Sequence, residues 1–362
     1  MLAVVEALRS HSVVALGESH DLAEAGRFYD ELVRSDAFAK AADFIVVEFG
    51  DARYQDVIDR YVAGDEVSPT VLRRVWQDTT QVGAWDAPMY SAFFRAVRDA
   101  NAGRPASDRL GVLLGDPPID WDNVSGPADV RPLLAARESF MAQLIEREVI
   151  DSGRHAVVIA GLAHVERAIG ESPEPNVTGR LDAADPGATY VVGVQLGFPV
   201  EQWEQKIATW PAPSIAALHD TWIGELPKGT GRAQDALDAM LYLGPPGELH
   251  LSIPLPSVYV EPGYWAELRR RWRLEGLGPF DAAKLFGTYE QAVYPGAFTE
   301  QGIAQEQAFA RCMRTHGVEG FPDPQFQYDA VGFYGPQIDE AQADPDFKRA
   351  RRACFALQGD TG

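Results

Sequence analysis

Four short apolar runs punctuate the first half of the chain, and each is closed by glycine or acid. They are residues 12–16 (SVVAL) before Gly17, 44–48 (FIVVE) before Phe49 and Gly50, 110–114 (LGVLL) before Gly115 and Asp116, and 155–160 (HAVVIA) before Gly161. Runs that are apolar almost throughout are the pattern of strands buried on both faces. Residues 190–195 and 239–243 continue the series more weakly, and 214–218 more weakly still. The stretches between them have helical spacing. Asp21-Leu22-Ala23-Glu24 has the acid-x-x-Glu form of a helix start, and the helix it opens runs to about Arg34. Residues 131–150 place Leu134, Phe140, Met141, Leu144 and Ile145 on one helical repeat. A turn region at 256–263 precedes an Arg-rich helix at 264–275, whose basic cluster reads as a solvated face. Strands alternating with helices predict an α/β fold: a mostly parallel central sheet with flanking helices.

The pattern changes near 295–305. Beyond it come a helix at 307–317 holding Cys312, a Pro- and Tyr-rich loop (FPDPQFQYDAVGFYGP), and a last helix at 346–357 holding Cys354. The expected organisation is an α/β domain over 1–295 and a small helical module over 303–362. With 46% hydrophobic and 23% charged residues, the chain has globular composition rather than that of a disordered one. Its formal net charge of −21 argues against a nucleic-acid or anionic-membrane partner, because phosphate binding runs on Lys and Arg. No apolar run approaches the roughly 18–20 residues of a membrane span. The opening MLAVVEALRSH does not read as a signal peptide, having an acid at Glu6 and no basic head.

In open α/β sheets, ligands bind beyond the carboxyl ends of the strands. The residues there are Glu18, Ser19 and His20 after the first run; Glu48, Asp51 and Arg53 at the second; Asp116, Asp120 and Trp121 after the third; and His164 after the fourth. Two of seven histidines and at least three carboxylates thus gather at one sheet edge. Gly17-Glu18-Ser19-His20-Asp21 is not a nucleophile elbow, which needs glycine at its fifth position, so Ser19 is not expected to be a nucleophile. Phosphate-cradling glycine loops and the HExxH zinc motif are absent. What remains is a neutral imidazole beside a carboxylate that deprotonates water. The same groups, His20, His164, Glu18 and Glu48, are also candidate ligands for a divalent metal. Sequence alone leaves both open.

GESH at 17–20, EFG at 48–50, LGDPPIDW at 114–121 and GLAH at 161–164 together resemble the erythromycin esterase-like proteins and their wider superfamily, which includes the ChaN-like haem-uptake lipoproteins and the Tiki proteases. Residues 137–142 (RESFMA), with Arg137 and Glu138, resemble a segment of the esterase branch. The resemblance covers about 1–295. It implies an α/β core with the site at the strand ends, His20 as the base that activates water, and Glu18 and Glu48 as supporting acids. His164 is then the second histidine, and Arg27 is a looser candidate for stabilising negative charge; Asp116, Arg137 and Glu138 are further candidate site residues. The implied activity is hydrolysis of a small ester, lactone or amide. GESH is spaced more like the ChaN and Tiki branches, and the ChaN-like alternative is a haem- or metal-binding protein. The expected partner is a small molecule. A cofactor is either not required, or is a divalent metal, or on the alternative reading haem.

The tail, CMRTHGV at 312–318 followed by FPDP at 321–324 and the later Cys354, is similar to a small module of actinobacterial extracytoplasmic proteins. That resemblance, with two cysteines in a short Pro-rich segment, implies a disulfide between Cys312 and Cys354. Cys312 and His316 lie one helical turn apart, and two ligands alone make a poor metal site. The disulfide implies an extracytoplasmic location if a leader has been cleaved away; otherwise the chain is expected in the cytoplasm.

Overall fold

The structure is a computed structural model that describes residues 1–168, 174–195, 204–228, 230–245, 248–252, 254, 263–276, 300–322, 325–327, 330–332 and 341–354. Seven strands form one sheet: β1 (Val13–Glu18), β2 (Phe44–Asp51), β3 (Gly111–Asp116), β4 (Ala156–Gly161), β5 (Thr189–Val194), β6 (Ser214–Ala217) and β7 (Ala239–Tyr242). Their order is β3-β2-β4-β1-β5-β7-β6. All pairings are parallel except that of the edge strand β6 with β7. The mostly parallel α/β sheet read from the apolar runs is therefore present. β4 lies between β1 and β2, so the strands that lead to His20, Glu48 and His164 are three neighbours.

Alternation along each strand divides the core into two layers. Val14 and Leu16 of β1 face one side, with Phe28, Leu32, Phe94 and Val97 from the helices Ala23–Arg34 and Pro88–Ala102. Val13 and Ala15 face the other, with Met141 and Ile145 from the helix Pro127–Ile145 and Leu181 from Val177–Ala184. Burial on both faces explains why the runs lack polar alternation.

Several boundaries differ from expectation. β1 continues to Glu18 and β2 to Asp51, because their acidic ends find buried hydrogen-bond partners instead of water. Asp21 does not cap a helix. It has a left-handed backbone (φ 62°), and the helix Ala23–Arg34 starts from Leu22 without a side-chain cap. The long helix runs from Pro127 to Ile145 and passes into a π-type turn over Glu146–Ile150. The helices Gln55–Ala63, Pro69–Gln77 and Pro88–Ala102 were not anticipated.

In the tail, helices Glu300–Thr315 and Phe347–Cys354 surround their own apolar cluster, which includes Phe309, Met313, Phe321 and Ala350. Cys312 and Cys354 are disulfide-bonded, with Cα atoms 5.8 Å apart. The first of these helices starts at Glu300, so residue 303 falls inside it. The segment read as a loop contains a short hairpin, Gln325–Gln327 with Ala330–Gly332. The expected turn at 256–262, the residues 295–299 and the end of the last helix at 355–357 lie outside the described residues. Among the described residues, no helix is long and apolar enough to cross a membrane.

Candidate functional site

The last residue of β1, Glu18, pairs in register with Gly161, the last residue of β4. Its side chain is fully buried, and Oε1 lies 2.9 Å from Nδ1 of His20. The Tyr90 hydroxyl donates to the same oxygen at 3.3 Å and accepts from the Asp21 N–H at 3.1 Å. Burial pushes the Glu18 carboxyl up, and the bond to His20 draws it back. For His20 burial pulls the imidazole down, but the hydrogen bond and charge of Glu18 outweigh it and raise its pKa.

Gly161 sets the height of the His20 ring. A Cβ there would lie 2.8 Å from Cε1 and 2.9 Å from Nε2 of His20, and 3.4 Å from Oε2 of Glu48, so glycine is what lets the imidazole and that carboxylate approach one spot. The edge of His20 meets Trp85, with centroids 4.9 Å apart and planes at 86°. The side chain stays 44% exposed. Its Nε2 has no hydrogen-bond partner among the described residues.

Glu48 is wholly buried yet ionised. Oε2 accepts the Gly161 N–H at 2.7 Å. Oε1 faces Nε2 of His164 at 3.1 Å and also the Arg137 guanidinium. Burial alone would raise this acid, but His164 and Arg137 bring it down to about 2. Arg137 also donates from Nε to Asp116 at 3.2 Å. Asp116 accepts from the N–H of Thr80 at 2.6 Å and from its hydroxyl at 2.7 Å. Burial dominates there and lifts Asp116 to about 6 despite Arg137. Asp51, at the end of β2, accepts the Arg53 N–H at 2.8 Å and is raised to about 8, chiefly by burial.

His164 sits on the short helix Leu162–Val165, which packs against β1 at Gly17, where a Cβ would meet Leu162 Cδ1 at 2.6 Å. Its Nδ1 is bonded to Glu138, whose other oxygen accepts the Val177 N–H at 3.0 Å. Burial pulls His164 down, but the two carboxylates outweigh it and raise it to about 9. It is an imidazolium near neutral pH, so the two histidines differ: His164 is a fixed cation, whereas His20 has one nitrogen held and one available.

Glu18 with His20, and Glu48 with His164, Asp116, Arg137 and Glu138, thus form two bonded groups that adjoin at Gly161. Arg27 does not join them. Its guanidinium pairs with Glu24 and is largely exposed, and Glu24 also holds His250. Arg53 pairs with Asp120 at 2.8 Å, and the Trp121 indole donates to the Asp78 carbonyl at 2.9 Å. Thr80 and Trp85 were missed in the sequence because 77–87 (QDTTQVGAWDA) has no apolar period, and Tyr90 because the helix Pro88–Ala102 that carries it was not anticipated. The one signal in 77–87 is a buried-type aromatic, Trp85, between polar residues.

The strand-end groups do not fit a divalent metal. Guanidinium, amide and hydroxyl donors already engage Glu48 and Asp116, and Arg137 stands where a cation bridging them would be. Of the four candidate ligands His20, His164, Glu18 and Glu48, Glu48 and His164 are thus already engaged by protein partners.

No curated protein matches the chain. Among solved structures, an erythromycin esterase EreC variant in its open conformation is similar with a TM-score of 0.47 and 10% identity, over 67% of this chain and 92% of that one. A Bacillus cereus protein gives 0.46 and 11% identity, over 67% and 90%. ChaN of Campylobacter jejuni, described with cofacially bound haem, gives 0.35 and 13%, over 54% and 86%. Residues 4–106, which hold GESH and EFG, match the sequence family described as haem-binding uptake, Tiki superfamily, ChaN. The resemblance carried by those two segments thus agrees with the family match, which is confined to residues 4–106.

Proposed function

We propose that this protein is a hydrolase in which His20 activates a water molecule against a small ester, lactone or amide. The supporting observation is the Glu18–His20 pair: a buried carboxylate fixes Nδ1 at 2.9 Å and leaves Nε2 without a partner among the described residues on a partly exposed ring. A carboxylate so placed selects the Nδ1–H tautomer and stabilises the imidazolium formed on proton transfer. Nε2 takes a proton from water as the water oxygen attacks the carbonyl carbon. The same proton then passes to the leaving oxygen or nitrogen. Arg137 and His164 supply positive charge at the same strand ends, offsetting the negative charge that develops on the carbonyl oxygen.

The separate apolar core around Phe309 and Met313 supports reading 303–362 as a module distinct from the domain over 1–295. The test is turnover of an ester, lactone and amide panel by the pure protein and by His20→Ala. Loss of at least about 10²-fold with an unchanged circular-dichroism spectrum is expected. Equal turnover by the variant would overturn the reading.

A second reading, haem binding, is favoured by the family match over 4–106, which contains His20. The free Nε2 of His20 is chemically suited to ligate haem iron. Haem titration followed by absorbance separates the two: a band shift abolished in His20→Ala, with no turnover on the panel, would favour the haem reading.

A further inference from the structure

The trio Cys312, His316 and Cys354 has no part in the strand-end chemistry. We propose that it is a redox-gated metal site. With the disulfide closed it staples two helices, and after reduction it binds a thiophilic divalent ion such as zinc.

The geometry comes from the two helices. Cys312 lies in Glu300–Thr315, and His316 follows that helix directly, one turn on. Cys354 ends the helix Phe347–Cys354. Nδ1 of His316 lies 3.5 Å from Cys312 Sγ and 3.7 Å from Cys354 Sγ, and all three ligand atoms fall within 4.8 Å of one another. Tetrahedral zinc with bonds of about 2.3 Å to sulfur and 2.0–2.1 Å to nitrogen has S···N edges near ~3.5 Å and S···S edges near ~3.8 Å. Both nitrogen–sulfur edges therefore already have ligating length. Only the two sulfurs must part, and Cα atoms 5.8 Å apart allow this by side-chain rotation.

The alternative, that His316 merely caps the helix end, rests on its Nδ1 contact with the Cys312 carbonyl at 2.9 Å. That carbonyl also accepts from the Thr315 hydroxyl at 2.9 Å and from the His316 N–H at 3.0 Å, so it stays satisfied when the imidazole switches tautomer and frees Nδ1. Cys354 is buried against Phe309, Met313 and Ala350, and His316 is exposed, so the fourth position of an ion faces solvent.

The balance is simple. A dithiol reductant gives two electrons and two protons, the S–S bond breaks to two thiols, and the incoming ion displaces both thiol protons. A disulfide oxidant reverses the sequence and expels the ion.

The experiment uses the full chain, reduced with a non-chelating phosphine, freed of reductant and titrated with Co²⁺ and then Zn²⁺. A single equivalent of cobalt should give a thiolate charge-transfer band that zinc abolishes, and the oxidised protein should give none. His316→Ala should weaken binding by at least about tenfold, since even outer-shell changes cost 10–100-fold. No band in the reduced wild-type chain would overturn the proposal. So would a band that persists in the Cys312→Ser/Cys354→Ser variant or is indifferent to His316→Ala.

Discussion

His20 Nδ1 lies 2.9 Å from Oε1 of Glu18, and that carboxylate is wholly withdrawn from solvent. A buried acid is normally pushed toward neutrality, and only a donor in contact holds its charge. The two groups therefore share their protonation, and each sets the other's readiness.

Replacing Glu18 with Gln keeps the shape and removes the charge. The bond and charge of Glu18 contribute most to raising His20, so in the variant burial is opposed only by the charges of Glu48 and Asp21 and the His20 pKa falls. On any substrate the panel identifies, the acid limb of kcat/KM should move to lower pH while the plateau drops by roughly 10²-fold. A pH–rate profile with an unmoved limb would separate Glu18 from His20.

Arg137 neutralises two buried acids at once. Arg137→Met should destabilise the fold by about 3–5 kcal/mol, the usual result of stranding a buried charge. Asp116, already raised to about 6, can escape by taking a proton, whereas Glu48, held near 2, depends on the cation more strongly. Adding Glu48→Gln to Arg137→Met should recover part of the loss in urea denaturation. Strict additivity of the two substitutions would show that they do not interact.

The sheet was legible because strands buried on both faces write themselves as unbroken apolar runs, as at Val13–Leu16 and Val157–Ile159. Its strand ends were legible for the opposite reason: Glu18, His20, Glu48, Asp116 and His164 are polar residues directly following such runs. The partners were not. Arg137 is placed by the helix Pro127–Ile145 and Tyr90 by the helix Pro88–Ala102, whereas Thr80 and Trp85 come from a segment whose fold is set by docking rather than by period. Nor did the sequence separate the two histidines, because the difference lies in the number of carboxylates each meets. Arg27, two turns beyond His20, was drawn to Glu24 on its own helix instead.

The Glu48–His164 pair gives the fold a pH window. His164 is raised from 6.5 to about 9, so its contribution is complete below about 6.5 and is lost as pH rises through about 9. Glu48 is lowered from 4.5 to about 2, so its contribution is present above about 4.5 and is lost as pH falls toward about 2. Asp51, raised to about 8, is a buried acid favoured in its protonated form and adds to the alkaline loss. The unfolding free energy from urea titrations should decline between pH 6.5 and 9.5 by an amount on the order of 3–5 kcal/mol. His164→Gln should flatten that slope, and an equal slope in the variant would assign it elsewhere.

Gly161 offers the sharpest separation of site from scaffold. Its N–H holds Glu48 at 2.7 Å, and a substituted residue would keep that bond, since only the side chain changes. Its backbone is an ordinary extended one (φ −52°, ψ 142°), so alanine is not strained there. The added methyl, however, would lie 2.8–2.9 Å from the His20 ring, closer than carbon and nitrogen tolerate, and His20 is the member free to yield because it is partly exposed. Gly161→Ala should therefore turn His20 away from Glu18 while moving stability by only about 1–2 kcal/mol, within the usual cost of overpacking. Turnover should fall about as far as in His20→Ala, and the His20 imidazole resonance followed by NMR should titrate at lower pH than in the parent. A stable variant with full activity would mean that the ring needs neither its seat on Gly161 nor its bond to Glu18, and the catalytic reading of His20 would go with them.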